Sequence, residues 1–456
     1  MPTPESPTTV PPARRPLRVR DVATSWAPLA GSWLLMGIEL PAVSAVMARL
    51  PHATVSLAAY GGVVFPLALL IESPILMLLT ASTALARDLH SYHIVRRFMF
   101  VTAGLLTALH AVLAFTPLFD VVAGTLIGVP APALEPARLG LRIMLPWTLS
   151  IAYRRTQQGV LIRFDHARAV TWGTMVRLAT LTAVLTLGSW HGGFPGIVVG
   201  TSAIACGVMA EAAFAHFAIR AVRRGPLAAA PAAEPPLTMP AFIRFYTPLM
   251  LTPLINFIAM PLSAAAMSRM PNALESLAAW PVLSGSTFTV RSLGFAFHEV
   301  VVSQLDRFRA VPMLRRFAWG LAIVVTSVLL AGAVTPLGGW WFERVSALPA
   351  GIAVLARQAL WLLVPMGAVS VWQSYHQGAL VHAHRTKAIT ESMVVLLLAA
   401  ATVLGIGVTW NSIPGLYLAA LGLTVGGLAQ IAWLSWRSGP AFASLEARDA
   451  DTSPTA

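Results

Sequence analysis

The stretch "PAVSAVMARLPHATVSLAAY" (41–60) aligns without a gap on "PLSAAAMSRMPNALESLAAW" (261–280), 220 residues later. Outward from this pair the matches continue at a spacing of 219. Arg96-Arg97-Phe98 answers Arg315-Arg316-Phe317, and Thr116-Pro117 answers Thr335-Pro336. Pro146 answers Pro365, and Gln158-Gly159 answers Gln377-Gly378. The chain is an internal repeat with a one-residue slip after the first block. Hydropathy says what is repeated. Apolar runs lie near 24–48, 55–82, 98–118, 140–162, 169–190 and 194–222, then near 241–268, 275–302, 317–338, 355–382, 387–410 and 413–436. Each is close to or above the ~20 residues that a spanning helix needs. Six spans per half is an even number, so both halves insert with one polarity, related by a pseudo-twofold axis along the membrane normal. The predicted fold is an all-α polytopic membrane protein of twelve transmembrane helices in two parallel six-helix repeats, with a cleft between them.

The expected organisation is a disordered N-terminus (1–22), an N-terminal bundle (23–222), a linker (223–240), a C-terminal bundle (241–438) and a disordered tail (439–456). The prolines and alanines of "RRGPLAAAPAAEPPLTMP" suit a linker better than a helix.

Composition excludes the other classes. Of 456 residues 57% are hydrophobic and 11% charged, against about 25% charged in soluble proteins. The apolar residues form long runs, not the alternating strands of a barrel. The net charge of +13 comes from 31 Lys+Arg against 18 Asp+Glu, scattered between runs, so no nucleic-acid partner is expected. Arg14, Arg15, Arg18 and Arg20, then Arg87, Arg96, Arg97, Arg163, Arg168, Arg220, Arg223 and Arg224, fall on one side of an even-numbered bundle, as do Arg307, Arg309, Arg315, Arg316, Arg385, Lys387 and Arg437. That bias places both termini in the cytoplasm and the protein, multi-pass, in the plasma (inner) membrane. The opposite loops are poorer in basic residues, although Arg49, Arg138, Arg269 and Arg344 lie there. Cys206 is a single cysteine and forms no internal disulfide. Residues 1–20 lack the apolar core of a signal peptide.

Ionisable groups inside a bilayer are costly and mark function by default. Glu39 and Glu72 sit mid-span in the first two runs, Arg142, Arg154 and Arg155 in the fourth, Arg177 in the fifth, Glu211 in the sixth, and Arg291, His298 and Glu299 in the eighth. Snorkelling accounts for Arg142, Arg163 and Arg220, but Glu39 and Glu72 must be paired, protonated or wet. At the 220 spacing Glu39 faces Ala259 across the repeat, Glu72 faces Ser292 and Arg291 faces Ile71, and this asymmetry points to function. Arg291 and His298, seven residues apart, share a helix face, and a Glu72–Arg291 pair across the halves is conceivable. Pro41 and Pro261 each remove a backbone hydrogen bond and invite a kink facing the cleft. His298-Glu299 begins a zincin-like pattern, but Val302 stands where the second histidine belongs. No metal site, cofactor or phosphate loop is found, and the chain reads as a transporter, not an enzyme.

"QGVLIRFDHAR" (158–168) and "QGALVHAHRTK" (377–387) resemble the connections after the fourth and tenth helices of the multidrug and toxic compound extrusion (MATE) type, within the multidrug/oligosaccharidyl-lipid/polysaccharide (MOP) flippase superfamily. "ARDLHSYHIVRRF" (86–98) lacks the G-x-x-x-D-R motif of the major facilitators. "PLAGSWLLMGIELPAVSAVMARL" (28–50) and "SLAAYGGVVFPLALLIESPILMLLTASTALARDLHSYHIVRRF" (56–98) are similar to the paired-helix pattern of the progressive ankylosis proteins. The resemblance implies a MATE-like fold and efflux of small organic anions such as pyrophosphate, citrate or nucleotides. It also implies that an acidic residue of the first helix binds a coupling ion, a role only Glu39 could take, because the seventh run has no acid. The expected substrate-binding set is Arg291, His298, Arg154, Arg155 and Arg177. Glu39, Glu72 and Glu299 serve ion coupling (H⁺ or Na⁺) or gating. The partners are then membrane lipid and a small anion, handled by a monomer. A lipid-linked precursor flippase and a proton- or Na⁺-coupled cation or drug exporter are the alternatives.

Overall fold

The computed structural model describes residues 17–451, and no strand occurs among them. Expectations for 1–16 and 452–456 lie outside the described residues. The helices are α1 (Val19–Met47), α2 (Ala53–Leu85), α3 (Leu89–Phe115), α4 (Ala131–Ile143 with Leu145–Arg163), α5 (Ala167–His191) and α6 (Gly196–Arg224). The second half repeats them as α7 (Met239–Ser268), α8 (Ala273–Phe295 with Phe297–Gln304), α9 (Ala310–Val334), α10 (Ala350–Leu363 with Met366–His382), α11 (Lys387–Trp410) and α12 (Gly415–Asp451). Among the described residues nine helices are long and apolar enough to cross a membrane, ten with the bent α10. The remaining two, α4 and α8, are the helices that carry Arg154, Arg155 and Arg291. The 43° bend of α10 falls at Pro365, which cannot donate into the helix ladder.

The repeat extends to the backbone. Left-handed residues recur in both halves: His52 with Asn272, Gly128 with Ala347, Asp165 with His384, and Gly192 with Asn411. Gly196 donates its amide to Pro51 at 3.3 Å, and Gly415 does the same to Pro271. The one-residue slip has a structural site as well. In α2 the chain widens into a π turn at Tyr60–Val64, where α8 stays regular, and such a turn absorbs one inserted residue. Beyond it the 219 spacing holds. Ser73 and Ser292 both bond a carbonyl three residues back. The sequence pairing of Glu72 with Ser292 is thereby corrected: Glu72 is the counterpart of Arg291, an acid exchanged for a base.

Lipid offers no hydrophobic drive for helix association, so close packing and polar contacts must supply it. Each bundle sends its first helix to the other, α1 along α8 and α7 along α2. At the α1–α8 seam a Cβ on Gly37 would lie 3.0 Å from the Thr289 backbone, and the Thr289 hydroxyl donates to the Gly37 carbonyl at 2.7 Å.

Two expectations of disorder give way to helix. α1 begins at Val19, within the predicted 1–22 segment, and α12 continues through 439–451. The extension docks: Phe442 stacks on Tyr375 at 4.7 Å, and Leu445 buries against a cluster with Leu17 and Val22. The Arg309 amide donates to Asp449 at 2.9 Å.

The linker caps the N-terminal bundle in the same way. Asp88 closes a capping box with Ser91 at the start of α3, and its other oxygen accepts from the Ala233 amide at 2.8 Å. Burial alone would push the Asp88 carboxyl up, but the bonds from Ser91 and Ala233 outweigh it and hold it below its ordinary value. A depressed carboxyl stabilises above the ordinary value of 3.8 and loses that stabilisation as pH falls through the lowered one. Asp88→Ala is expected to cost about 1 kcal/mol as a lost cap and to raise protease cleavage across 225–238. Acid should release the linker of the native protein but leave the variant unchanged.

Candidate substrate and ion-coupling site

Two cavities flank the seam. The first, about 350 Å³, lies inside the N-terminal bundle between α1, α2, α4, α5 and α6. Glu39, Glu72, Arg154, Arg155, Gln158 and Arg177 line it. The geometry is a chain of ions. Arg177 holds Glu39 at 2.6 Å and stands 3.3 Å from Glu211. Arg154 stands 3.1 Å from the same Glu211 oxygen, and the Gln158 amide donates to the other at 2.8 Å. Glu211 is 1% exposed. The Gln158 amide bonds one oxygen, and the two guanidinium charges stand against the other, which accepts no hydrogen bond, in place of the water it has lost. Glu72 is 2% exposed. It has no ion pair among the described residues, and its Oε2 has no hydrogen bond. Arg155 on the same wall is likewise outside any ion pair among them.

The local reason is the Gln-Gly pair on α4. A Cβ on Gly159 would fall 1.9 Å from the Ser82 hydroxyl and 2.3 Å from the Leu79 carbonyl. Only glycine lets α4 lie so close to α2, which brings Arg155 to the cavity that Glu72 lines. One turn earlier, Arg154 and Arg155 face the same space, and Gln158 reaches α6.

The second cavity, about 180 Å³, lies between the bundles, walled by α1 and α2 on one side and α7, α8, α10 and α12 on the other. Arg291 lines it, with Trp280 and Phe288. Its guanidinium lies 5.2 Å over the Phe295 ring, an attraction to the ring face. Its buried Nε has no hydrogen-bond partner, and neither do the hydroxyls of Ser44 and Tyr60 on the same walls. Leu40 and Phe65 belong to the walls of both cavities.

Several expected placements change. Glu39, Glu72, Arg154, Arg155 and Arg177 meet inside one bundle, not across the cleft. The conceivable Glu72–Arg291 pair is absent, because the two hold equivalent positions in opposite bundles. His298 lines neither cavity: it lies past the helix break at Ala296, and its carbonyl is 3.2 Å from a Cβ position on Gly378. Glu299 is exposed and lines neither cavity. α1 runs on through Pro41, which packs 3.4 Å from a Cβ position on Gly285, and Pro261 lines an apolar groove between α7 and α11. Glu211, counted in the sequence only as an intramembrane charge, is the centre of the network. Its counterpart at the 219 spacing is Gln430, which bonds Ser392, and that loss of charge across the repeat was the signal available.

No protein-family model and no curated protein matches the sequence. Solved structures share the fold. An inward-facing multidrug resistance MATE family transporter of the MOP superfamily is 15% identical, with a TM-score of 0.71 over 92% of this chain and 99% of that one. The lipid II flippase MurJ in an inward closed conformation is 13% identical, with a TM-score of 0.70 over 93% and 91%. An outward-facing MATE family transporter is 15% identical, with a TM-score of 0.55 over 94% and 99%. The chain therefore has a MATE-like fold, and its long apolar helices make it a multi-pass membrane protein.

Proposed function

We propose that this protein is a monomeric secondary transporter or facilitator moving small organic anions, of pyrophosphate, citrate or nucleotide type, across the plasma membrane by alternating access. The supporting observation is Arg291. It is a guanidinium on the wall of the interbundle cavity with no carboxylate in ion-pair range among the described residues, beside two unbonded hydroxyls. An uncompensated cation between low-dielectric walls raises the local potential and draws anions. The N-terminal cavity is different: its three arginines are matched by Glu39, Glu72 and Glu211, so its formal charge is zero. We assign that network to coupling, with Glu72 as the group that takes up H⁺ or Na⁺. The basic loops support cytoplasmic termini, and the closer match to the inward-facing structure than to the outward-facing one supports a cytoplasm-open state. The progressive ankylosis pattern in α1 and α2 is in keeping with the anion.

A lipid-linked precursor flippase is the second reading, favoured by the apolar groove of about 540 Å³ between α7 and α11. The cation-exporter alternative has less support, because Glu39 is already tied to Arg177.

Uptake of labelled citrate, ADP and pyrophosphate into proteoliposomes tests the proposal. Arg291→Ala is expected to slow uptake at least about tenfold, the effect of losing a desolvated charge contact, and Arg291→Lys to keep part of it. Uptake unchanged by Arg291→Ala overturns the anion assignment. A thermal shift with a lipid pyrophosphate and no anion uptake would move the reading to the flippase.

A further inference from the structure

Arg49 and Arg269 sit where the positive-inside bias disfavours them, at the end opposite the basic loops, and they are repeat mates 220 residues apart. Neither has a carboxylate partner among the described residues. Each reaches across the seam to bare carbonyls. Arg49 Nη2 donates to Arg344 at 2.7 Å and to Val345 at 2.9 Å. Arg269 donates to Thr125 at 3.1 Å, Leu126 at 2.7 Å and Ile127 at 2.8 Å. The acceptors are repeat mates too, 125 with 344 and 126 with 345. They end the π segments Asp120–Ile127 and Trp341–Val345, where helical carbonyls have no partner of their own and the dipole is negative. A left-handed residue turns the chain just beyond each, Gly128 at φ 77° and Ala347 at φ 53°. An alanine held there costs of order 1–2 kcal/mol, strain that persists where surrounding structure requires it.

We propose that Arg49 and Arg269 form a twofold clasp that seals the external end of the cleft and must release for the outward-open state. The proposal rests on the alternating-access reading but not on any substrate. Each guanidinium also donates to its own helix, Arg49 to Ala45 and Arg269 to Ala265, both at 2.7 Å, so a plain helix-capping role has to be separated. Lysine does so: it keeps the charge at the helix end but cannot fork across the seam.

The test replaces Cys206 by serine and places a reporter at the interbundle cavity, Ser44→Cys. Labelling by an impermeant maleimide is then read from each face of oriented membrane vesicles. With both arginines present, external labelling should be slow. Arg49→Lys with Arg269→Lys should raise it about tenfold, each single change less, at an unchanged melting temperature, a shift between two states. External labelling that is fast with the arginines intact, or unchanged in the double lysine variant, overturns the clasp. Because labelling needs no cargo, failure to transport any anion leaves this result standing, and the two claims fail separately.

Discussion

Glu211→Ala is expected to be the most damaging single change in the N-terminal bundle, at about 3–5 kcal/mol, the range for breaking a buried ion pair by removing one partner. The carboxylate is the shared counter-ion of Arg154 and Arg177 and accepts a hydrogen bond from Gln158. Without it two guanidiniums keep their charge with one fewer counter-ion, and Arg177 is left with Glu39 alone. Glu211→Gln should be intermediate, because it keeps the volume and can still accept from Gln158 but drops the charge. A cycle separates stability from coupling. Glu211→Gln with Arg154→Gln removes one acid and one base together and should recover much of the melting temperature lost in the single variant. If transport returns with it, the network is only a support; if stability returns and ion-driven uptake does not, the charges themselves couple. A Glu211→Ala protein as stable as the native one would show that water enters the cavity and screens the ions, and would remove the argument for a dry network.

The bundle count and the parallel repeat were legible in the sequence because both follow from one-dimensional signals, a spacing of 219–220 and runs of apolar residues. α4 and α8 were legible as apolar runs and the repeat supports both, although they fall short of the length and hydropathy that the other ten meet. The grouping of the ions was not legible. Periodicity places Arg154 and Glu39 on helix faces, but which bundle shares a cavity depends on how closely α4 approaches α2. That depends on a single missing Cβ. The register after the slip misled for a related reason: an inserted residue shows in the sequence as a changed offset without saying where the helix absorbs it. Only the π turn at Tyr60–Val64 turns Glu72 into the mate of Arg291. The helical tail was hidden by its composition, whose small and charged residues read as disorder until Phe442 and Leu445 are seen docking on the C-terminal bundle.

Gly159→Ala is the second large effect, and the argument turns on what the new methyl meets. Real Cβ contacts do not fall under about 3 Å, and here one lies at 1.9 Å from a serine hydroxyl and another at 2.3 Å from a backbone carbonyl. The Ser82 side chain can rotate away; the Leu79 carbonyl cannot move without its helix. α4 must then retreat from α2, breaking the Thr83 hydroxyl's 3.1 Å bond to the Gly159 carbonyl and Arg163's 2.8 Å bond to the Thr83 carbonyl. Overpacking of this kind costs about 1–3 kcal/mol, and with backbone as the obstacle the upper end is expected. The functional loss should exceed the loss of stability, because α4 carries Arg154, Arg155 and Gln158 and a shift of an ångström breaks their alignment with Glu211. The repeat supplies the control. A Cβ on Gly378 meets the Val301 side chain at 2.7 Å and the His298 carbonyl only at 3.2 Å, so Gly378→Ala has softer neighbours and should cost less. Gly104 on α3 has nothing within 4 Å, and alanine there should be neutral or stabilising by up to about 1 kcal/mol from helix propensity. Melting temperatures ordered Gly104→Ala, then Gly378→Ala, then Gly159→Ala from highest to lowest follow if helix approach at the Gln-Gly pair builds the cavity. Equal values for the last two would mean that α2 yields as readily as a valine side chain and that the close contact is incidental.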